Sequence, residues 1–251
     1  MFRGEAYIHA ILLPKNLGGK IAGYSLQHIE AIELEQNLIT DSNNNFYSAM
    51  VSFADALRGI RARLFTWATV KLYYSVFYCV RGILALDGFC LFYVGSKPYL
   101  VQALPGDPIR KTSGTTHKCI LDIFRKAYSG HELLSQQIDL TEPLCWLLIK
   151  REQANYRNAG FPEPEVPPFF KSADQIGIRR AIETYLADTN HFYTFDPDHA
   201  IFALPLRTLT LLRNKLVGLG KLSIDEKRAR FVIGVMSDKK GRIAGLERLV
   251  H

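Results

Sequence analysis

Trp67-Ala68-Thr69-Val70-Lys71-Leu72-Tyr73-Tyr74-Ser75-Val76-Phe77-Tyr78-Cys79-Val80-Arg81 is the centre of a longer run, from about Arg63 to Leu86, whose apolar residues cover almost the whole circumference of a helix. A helix without a polar face has nothing to offer water, so it predicts a central position in its domain, with other helices around it. The window Leu64 to Val94 also contains Lys71, Arg81 and Asp87. Three charges argue against a membrane span and for a buried helix of a soluble protein. Asp87-Gly88 stops the run.

Upstream, Phe46, Met50, Phe53, Ala54 and Leu57 share one face of a helix that begins at Phe46. Before it, Asp41-Ser42-Asn43-Asn44-Asn45 reads as a break, because these side chains favour caps and Asx-turns. An earlier helix spans roughly Tyr24 to Leu38. Downstream, Phe89 to Val94 is a short extended segment, Pro105-Gly106-Asp107-Pro108 a turn, and 111–116 a polar loop. Thr115 or Thr116 caps a helix from His117 to about Tyr128. The next follows Thr141 and runs to about Arg157, ended by the proline-rich stretch Phe161 to Pro168. Two more are expected, Ala173 to Ala187 and Pro197 to Leu216, the second kinked or divided at Pro205. The reading is a single all-α helical bundle with a short extended segment and appended ends. Residues 1–45 form an N-terminal extension, 46–216 the helical domain and 217–251 a basic amphipathic tail.

The 251 residues are 48% hydrophobic and 22% charged, which excludes disordered, collagen-like and coiled-coil classes. Lysine and arginine number 31 against 24 acids, a formal charge of +7 that permits a polyanionic partner. Cys79, Cys90, Cys119 and Cys145 stand singly in apolar segments, without CxxC spacing, which suits reduced thiols in a cytoplasm. The apolar stretch Tyr7 to Leu13 is too short for a signal peptide. No phosphate-binding loop, dinucleotide fingerprint, GxSxG elbow or HExxH is present, so neither cofactor nor metal is expected.

Two arrangements remain. Tyr74, Tyr78 and Arg81, at i, i+4 and i+7, lie on one face of the central helix, either as a core seam or as part of a site. Arg151, Asn155 and Asn158 share a face at the end of a later helix, in Lys150-Arg151-Glu152-Gln153-Ala154-Asn155-Tyr156-Arg157-Asn158. A guanidinium is a fork for phosphate oxygens, and a nearby amide or phenol can orient a substrate. The same residues also suit a helix end, where cations meet the negative pole of the dipole.

The helix with Tyr73-Tyr74-Ser75-Val76-Phe77-Tyr78 and Arg81 resembles the central helix of the HEPN superfamily, all-helical nucleotide- and RNA-binding domains. Arg151-Glu152-Gln153-Ala154-Asn155-Tyr156 stands where that superfamily carries an Arg followed four to six positions later by His or Tyr. The resemblance covers about Phe46 to Leu216. It implies a metal-independent endoribonuclease or RNA-binding effector, a homodimer, and a place in a microbial defence or toxin system with a possible partner protein. Arg151 would stabilise charge on the scissile phosphate, Asn155 and Tyr156 would position it, and Lys150 and Arg157 would hold RNA. The departure is that no histidine follows Arg151 in range. Arg125 and His131, six residues apart, form a competing match, and His117 could serve from elsewhere in the fold. A catalytically inactive scaffold docking a larger partner is the alternative that the missing histidine supports.

Overall fold

The computed structural model describes residues 1–15, 21–157 and 160–250, excepting the side chains of residues 156 and 157. Among them the chain forms α1 (Arg3–Leu12), α2 (His28–Arg61), α3 (Phe65–Leu86), β1 (Phe89–Val94), β2 (Lys97–Gln102), β3 (Arg110–Lys111) and α4 (Thr116–Ala127). There follow α5 (Pro143–Glu152), α6 (Lys171–Ile176), α7 (Ile178–Ala187), α8 (Phe192–Phe195), α9 (Ala200–Gly218) and α10 (Glu226–Met236).

The fully apolar run does become the central helix. Along α3, from Phe65 to Arg81, the residues outside the core are Trp67, Lys71, Tyr74, Tyr78 and Arg81. Their steps of four and three residues trace one narrow stripe, and everything else is buried. α2 and α9 pack against α3. At Gly82 a β-carbon would lie 2.6 Å from Leu212 Cδ2 on α9, so glycine sets the approach of these two helices. Gly82→Val is expected to destabilise the fold by about 2 kcal/mol, an overpacking cost read by chemical denaturation.

The expected break at 41–45 does not exist. α2 runs unbroken for 34 residues through Asp41-Ser42-Asn43-Asn44-Asn45. Four of these residues are buried and bonded in the interior. Asp41 Oδ1 and Oδ2 accept the backbone N–H groups of Arg3 and Gly4, both at 2.8 Å, and so cap α1 from across the fold. Ser42 Oγ donates to the Gly82 carbonyl on α3 at 2.9 Å. Asn43 Nδ2 donates to the Lys221 carbonyl at 2.9 Å, and its Oδ1 accepts from Ser223 N at 2.7 Å. Asn45 Nδ2 donates to the Asp41 carbonyl within the helix at 2.9 Å. The run has the composition of a turn because it wires three other segments to one helix.

The all-helical expectation is corrected by a small sheet. The chain is mostly helical, but the expected extended segment is β1 of a three-stranded antiparallel sheet, order β1-β2-β3. β1 and β2 pair from Phe89↔Gln102 to Val94↔Lys97, and the hairpin turns at Gly95, whose φ of +60° is open to glycine. The sheet's inner residues Phe92, Tyr99 and Val101 pack with Ile8 of α1 and Leu34 of α2 in a second core.

Other boundaries moved less. Gly177, with φ +84°, splits the expected 173–187 helix into α6 and α7. α9 is continuous through Pro205, so the expected division does not occur. The amide proton missing at Pro205 would have bonded Ile201, in the first turn, where the loss interrupts little of the helix. The tail beyond 217 folds back on α2. Arg61 Nη1 and Nη2 donate to the Ser237 and Met236 carbonyls at 2.8 and 2.9 Å, and α10 buries Val232 and Met236.

Candidate functional site

α4 and α5 deliver two side chains to the same stretch of α3. Thr115 caps α4, its side chain accepting from Lys118 N, and this places His117 in the first turn. Glu142 caps α5 by accepting from Leu144 N at 2.8 Å, with Pro143 following at the first helical position. Arg151 lies in the last turn of α5. The chain then continues as a π-helical turn, Gln153–Arg157, in place of the α-helix expected there. Such turns rotate the residues after them out of α-helical register.

The convergence point is Tyr73. Its hydroxyl is 2.8 Å from His117 Nδ1, 44 residues away in sequence. The Arg151 guanidinium carbon sits 5.5 Å from the centre of the Tyr73 ring, a cation–π distance. The imidazole is held by aromatic rings, with Phe77 at 4.2 Å and Tyr74 edge-on at 5.7 Å between centroids. Three helices therefore contribute a phenol, an imidazole and a guanidinium to one cluster.

The electrostatics follow from burial and from like charge. Burial lowers the His117 pKa below its ordinary value, and the positive charges of Arg151 and Arg81 lower it further. Burial pushes the Tyr73 phenol well up, against the opposing influence of Arg151. At neutral pH the pair is thus a neutral imidazole and an un-ionised phenol. A depressed histidine has a stability consequence. As pH falls through the ordinary histidine range, about 6.5, the unfolded chain takes up its proton before the folded one. Stability contributed by neutral His117 is present above that value and is lost below it. Tm is expected to fall from pH 7.5 to 5.5, with a shallower slope in His117→Gln.

The other expected site residues lie as follows. Asn155 falls in the π-helical turn, half-buried. The side chains of Tyr156 and Arg157, and all of Asn158, lie outside the described residues. Lys150 points elsewhere than Arg151, its Nζ over the rings of Trp146 and Phe169 at 5.1 and 5.2 Å. There it borders a cleft of about 470 Å³ walled by the proline-rich stretch. Glu163 of that stretch accepts from Thr66 N and Thr66 Oγ1 at 2.6 and 2.9 Å, tying it to the start of α3. Arg125 and His131 are engaged separately. Arg125 pairs with Glu142 at 2.6 Å and Asp122 at 3.1 Å. His131 Nδ1 accepts from Leu133 N at 3.2 Å, and its ring packs on Phe124 and Tyr128. In the expected seam, Tyr74 and Tyr78 are in ring contact at 5.9 Å and Arg81 turns to Phe2, its guanidinium carbon 3.6 Å from that ring.

Sequence reasoning gave Tyr73 no role of its own, and it named His117 as a candidate at a helix start without bringing it to Arg151. A hydroxyl deep in an apolar helix must find a partner, and that requirement was the available signal for Tyr73. Comparison of the chain with family models, with curated proteins and with solved structures found no match. No described helix is long and apolar enough to cross a membrane.

Proposed function

We propose that this chain is an HEPN-like, metal-independent endoribonuclease whose site is Arg151, His117 and Tyr73. The observation that carries the reading is the convergence of Arg151 and His117 on Tyr73. In this reading His117, at the start of α4, serves as the imidazole lacking after Arg151 in sequence.

The chemistry needs a base for the ribose 2′-OH, charge stabilisation at phosphorus and a proton for the departing 5′ oxygen. With Nδ1–H donating to Tyr73 Oη, the Nε2 lone pair of His117 is free to accept the 2′-OH proton. The 2′ oxygen bonds to phosphorus, the bond to the 5′ oxygen breaks, and the proton held at Nε2 passes to that leaving oxygen. The products are a 2′,3′-cyclic phosphate and a 5′-OH. Arg151 faces the negative charge that builds on the phosphoryl oxygens, the role in which a fixed cation gains most over water. Tyr73 fixes the tautomer and ring orientation of His117, as a positioning residue. Asn155, one turn on, and Tyr156 are assigned to substrate positioning, and Lys150 and Arg157 to the RNA backbone. The basic balance of the chain suits this partner. A dimer, a cytoplasmic setting and a role in microbial defence or a toxin system with a partner protein belong to the same proposal.

The test is cleavage of a mixed RNA pool in EDTA, followed over pH. His117→Asn is expected to lower the rate by about 10²–10⁴-fold, the usual worth of a general acid–base group. In the wild type the acid limb of the profile falls below the ordinary histidine value, because only neutral His117 can accept the proton and its pKa is depressed. Tyr73→Phe keeps the ring under Arg151 but should move that limb. A rate unaffected by His117→Asn removes this base.

A further inference from the structure

A cavity of about 190 Å³, sharing no residue with the cluster at Tyr73, is enclosed by α7, α8, α9 and the C-terminal turn Glu247–Leu249. Its wall is formed along one face of α9, where Arg207, Thr210 and Arg213 follow at three-residue steps. Arg248 approaches from the C-terminal turn. Three arginines thus line a space below the roughly 300 Å³ floor of drug-sized ligand pockets.

Their charges are unevenly answered. Arg207 pairs with Glu132, which also lies 3.8 Å from His191 Nε2. Asp188 is the carboxylate in the wall, and its two oxygens are taken by the backbone N–H groups of Asn190 and Tyr193 at 3.2 and 3.0 Å. Among the described residues neither Arg213 nor Arg248 has a carboxylate at ion-pair distance. Arg213 Nη1 donates to the neutral Asn214 Oδ1 at 3.2 Å. The Nε–H groups of Arg207 and Arg213 are buried and meet no acceptor among the described residues. Guanidinium groups approaching from two elements suit a tetrahedral oxyanion, which presents acceptors in several directions, better than a flat carboxylate. Leu206 and Leu249 supply an apolar wall beside them.

We propose that this cavity binds a small phosphate-bearing anion, held chiefly by Arg213 and Arg248. The site is independent of the ribonuclease reading. Isothermal titration calorimetry of the full chain, with inorganic phosphate and with ribose 5-phosphate at constant ionic strength in chloride, tests it. One saturable site is expected, weakened by about tenfold or more, the effect of losing a charge-assisted contact, in each of Arg213→Gln and Arg248→Gln. Arg151→Ala should leave it intact. Because Arg248 is exposed on the final turn, its variant reports on the ligand even if Arg213→Gln disturbs α9. Tighter binding of ribose 5-phosphate assigns the apolar wall to an organic body, and equal binding assigns the site to free phosphate. Absence of saturable binding overturns the proposal, as does binding unchanged in the Arg248→Gln protein. Binding of a single-stranded oligonucleotide but of neither phosphate overturns it too, because the arginines then belong to an RNA surface.

Discussion

Arg151→Ala is expected to lower RNA cleavage in EDTA by about 10²–10³-fold, the range found when one preorganised donor to a developing oxyanion is removed. The fold should survive, because Arg151 sits half-buried in the last turn of α5, while the helix is started by Glu142 and Pro143 and anchored by the buried Leu144, Trp146 and Leu147. Far-ultraviolet circular dichroism of the variant should therefore match the wild type. Arg151→Lys should recover little, since an ammonium keeps the charge but loses the planar fork. A folded Arg151→Ala protein that cleaves at the wild-type rate would place the chemistry elsewhere, and a cleavage assay on each protein, with dichroism alongside, decides it.

The largest effect on stability is expected at Asp41. Its carboxylate caps α1 by accepting two backbone N–H groups from 37 and 38 residues away, and it lies 4% exposed within α2. Hydrogen bonds to a charged acceptor contribute about 1.5–3 kcal/mol each, and alanine leaves both donors without it. Asp41→Ala should therefore cost about 3 kcal/mol. For a chain of this size that is a fall of roughly 6–12 °C in Tm. Asp41→Asn keeps an acceptor oxygen and should cost less. Thermal unfolding of the three proteins measures the order, and a variant as stable as the wild type would mean that α1 holds its place by packing alone.

The contrast between Asp41 and α3 explains what could be read from the chain. The run from Phe65 to Leu86 was legible as central because its burial depends on its own composition, with only the stripe through Trp67, Tyr74 and Tyr78 left outside the core up to Arg81. Asp41 to Asn45 misled because local preference for turns was overridden by partners far away in sequence, at Gly4, Gly82 and Ser223. β2 was hidden for a related reason. Lys97-Pro98-Tyr99-Leu100-Val101-Gln102 carries a proline and no clean alternation, and its strand identity comes from pairing with β1. Pro98 is tolerated near the strand's start, where a missing amide costs little.

At the site the same division holds. Arg151 could be singled out because guanidinium, amide and phenol crowd one helix end within six residues. His117 could be named but not placed, because its partner Tyr73 lies 44 residues away and only the packing of α4 on α3 brings them together. The π-helical turn after Glu152 was equally unreadable, since nothing in Gln153-Ala154-Asn155 departs from ordinary helix composition.

The most direct measurement takes the wild-type chain in EDTA with a mixed RNA pool and with DNA of the same sequences, and identifies the ends of any products. RNA cut to 2′,3′-cyclic phosphate and 5′-OH ends, with the DNA intact, is the expected result, because attack requires the 2′-OH that His117 would deprotonate. DNA cleaved as readily as RNA, or a folded protein that leaves the RNA whole, would contradict a ribonuclease site built from Arg151, His117 and Tyr73.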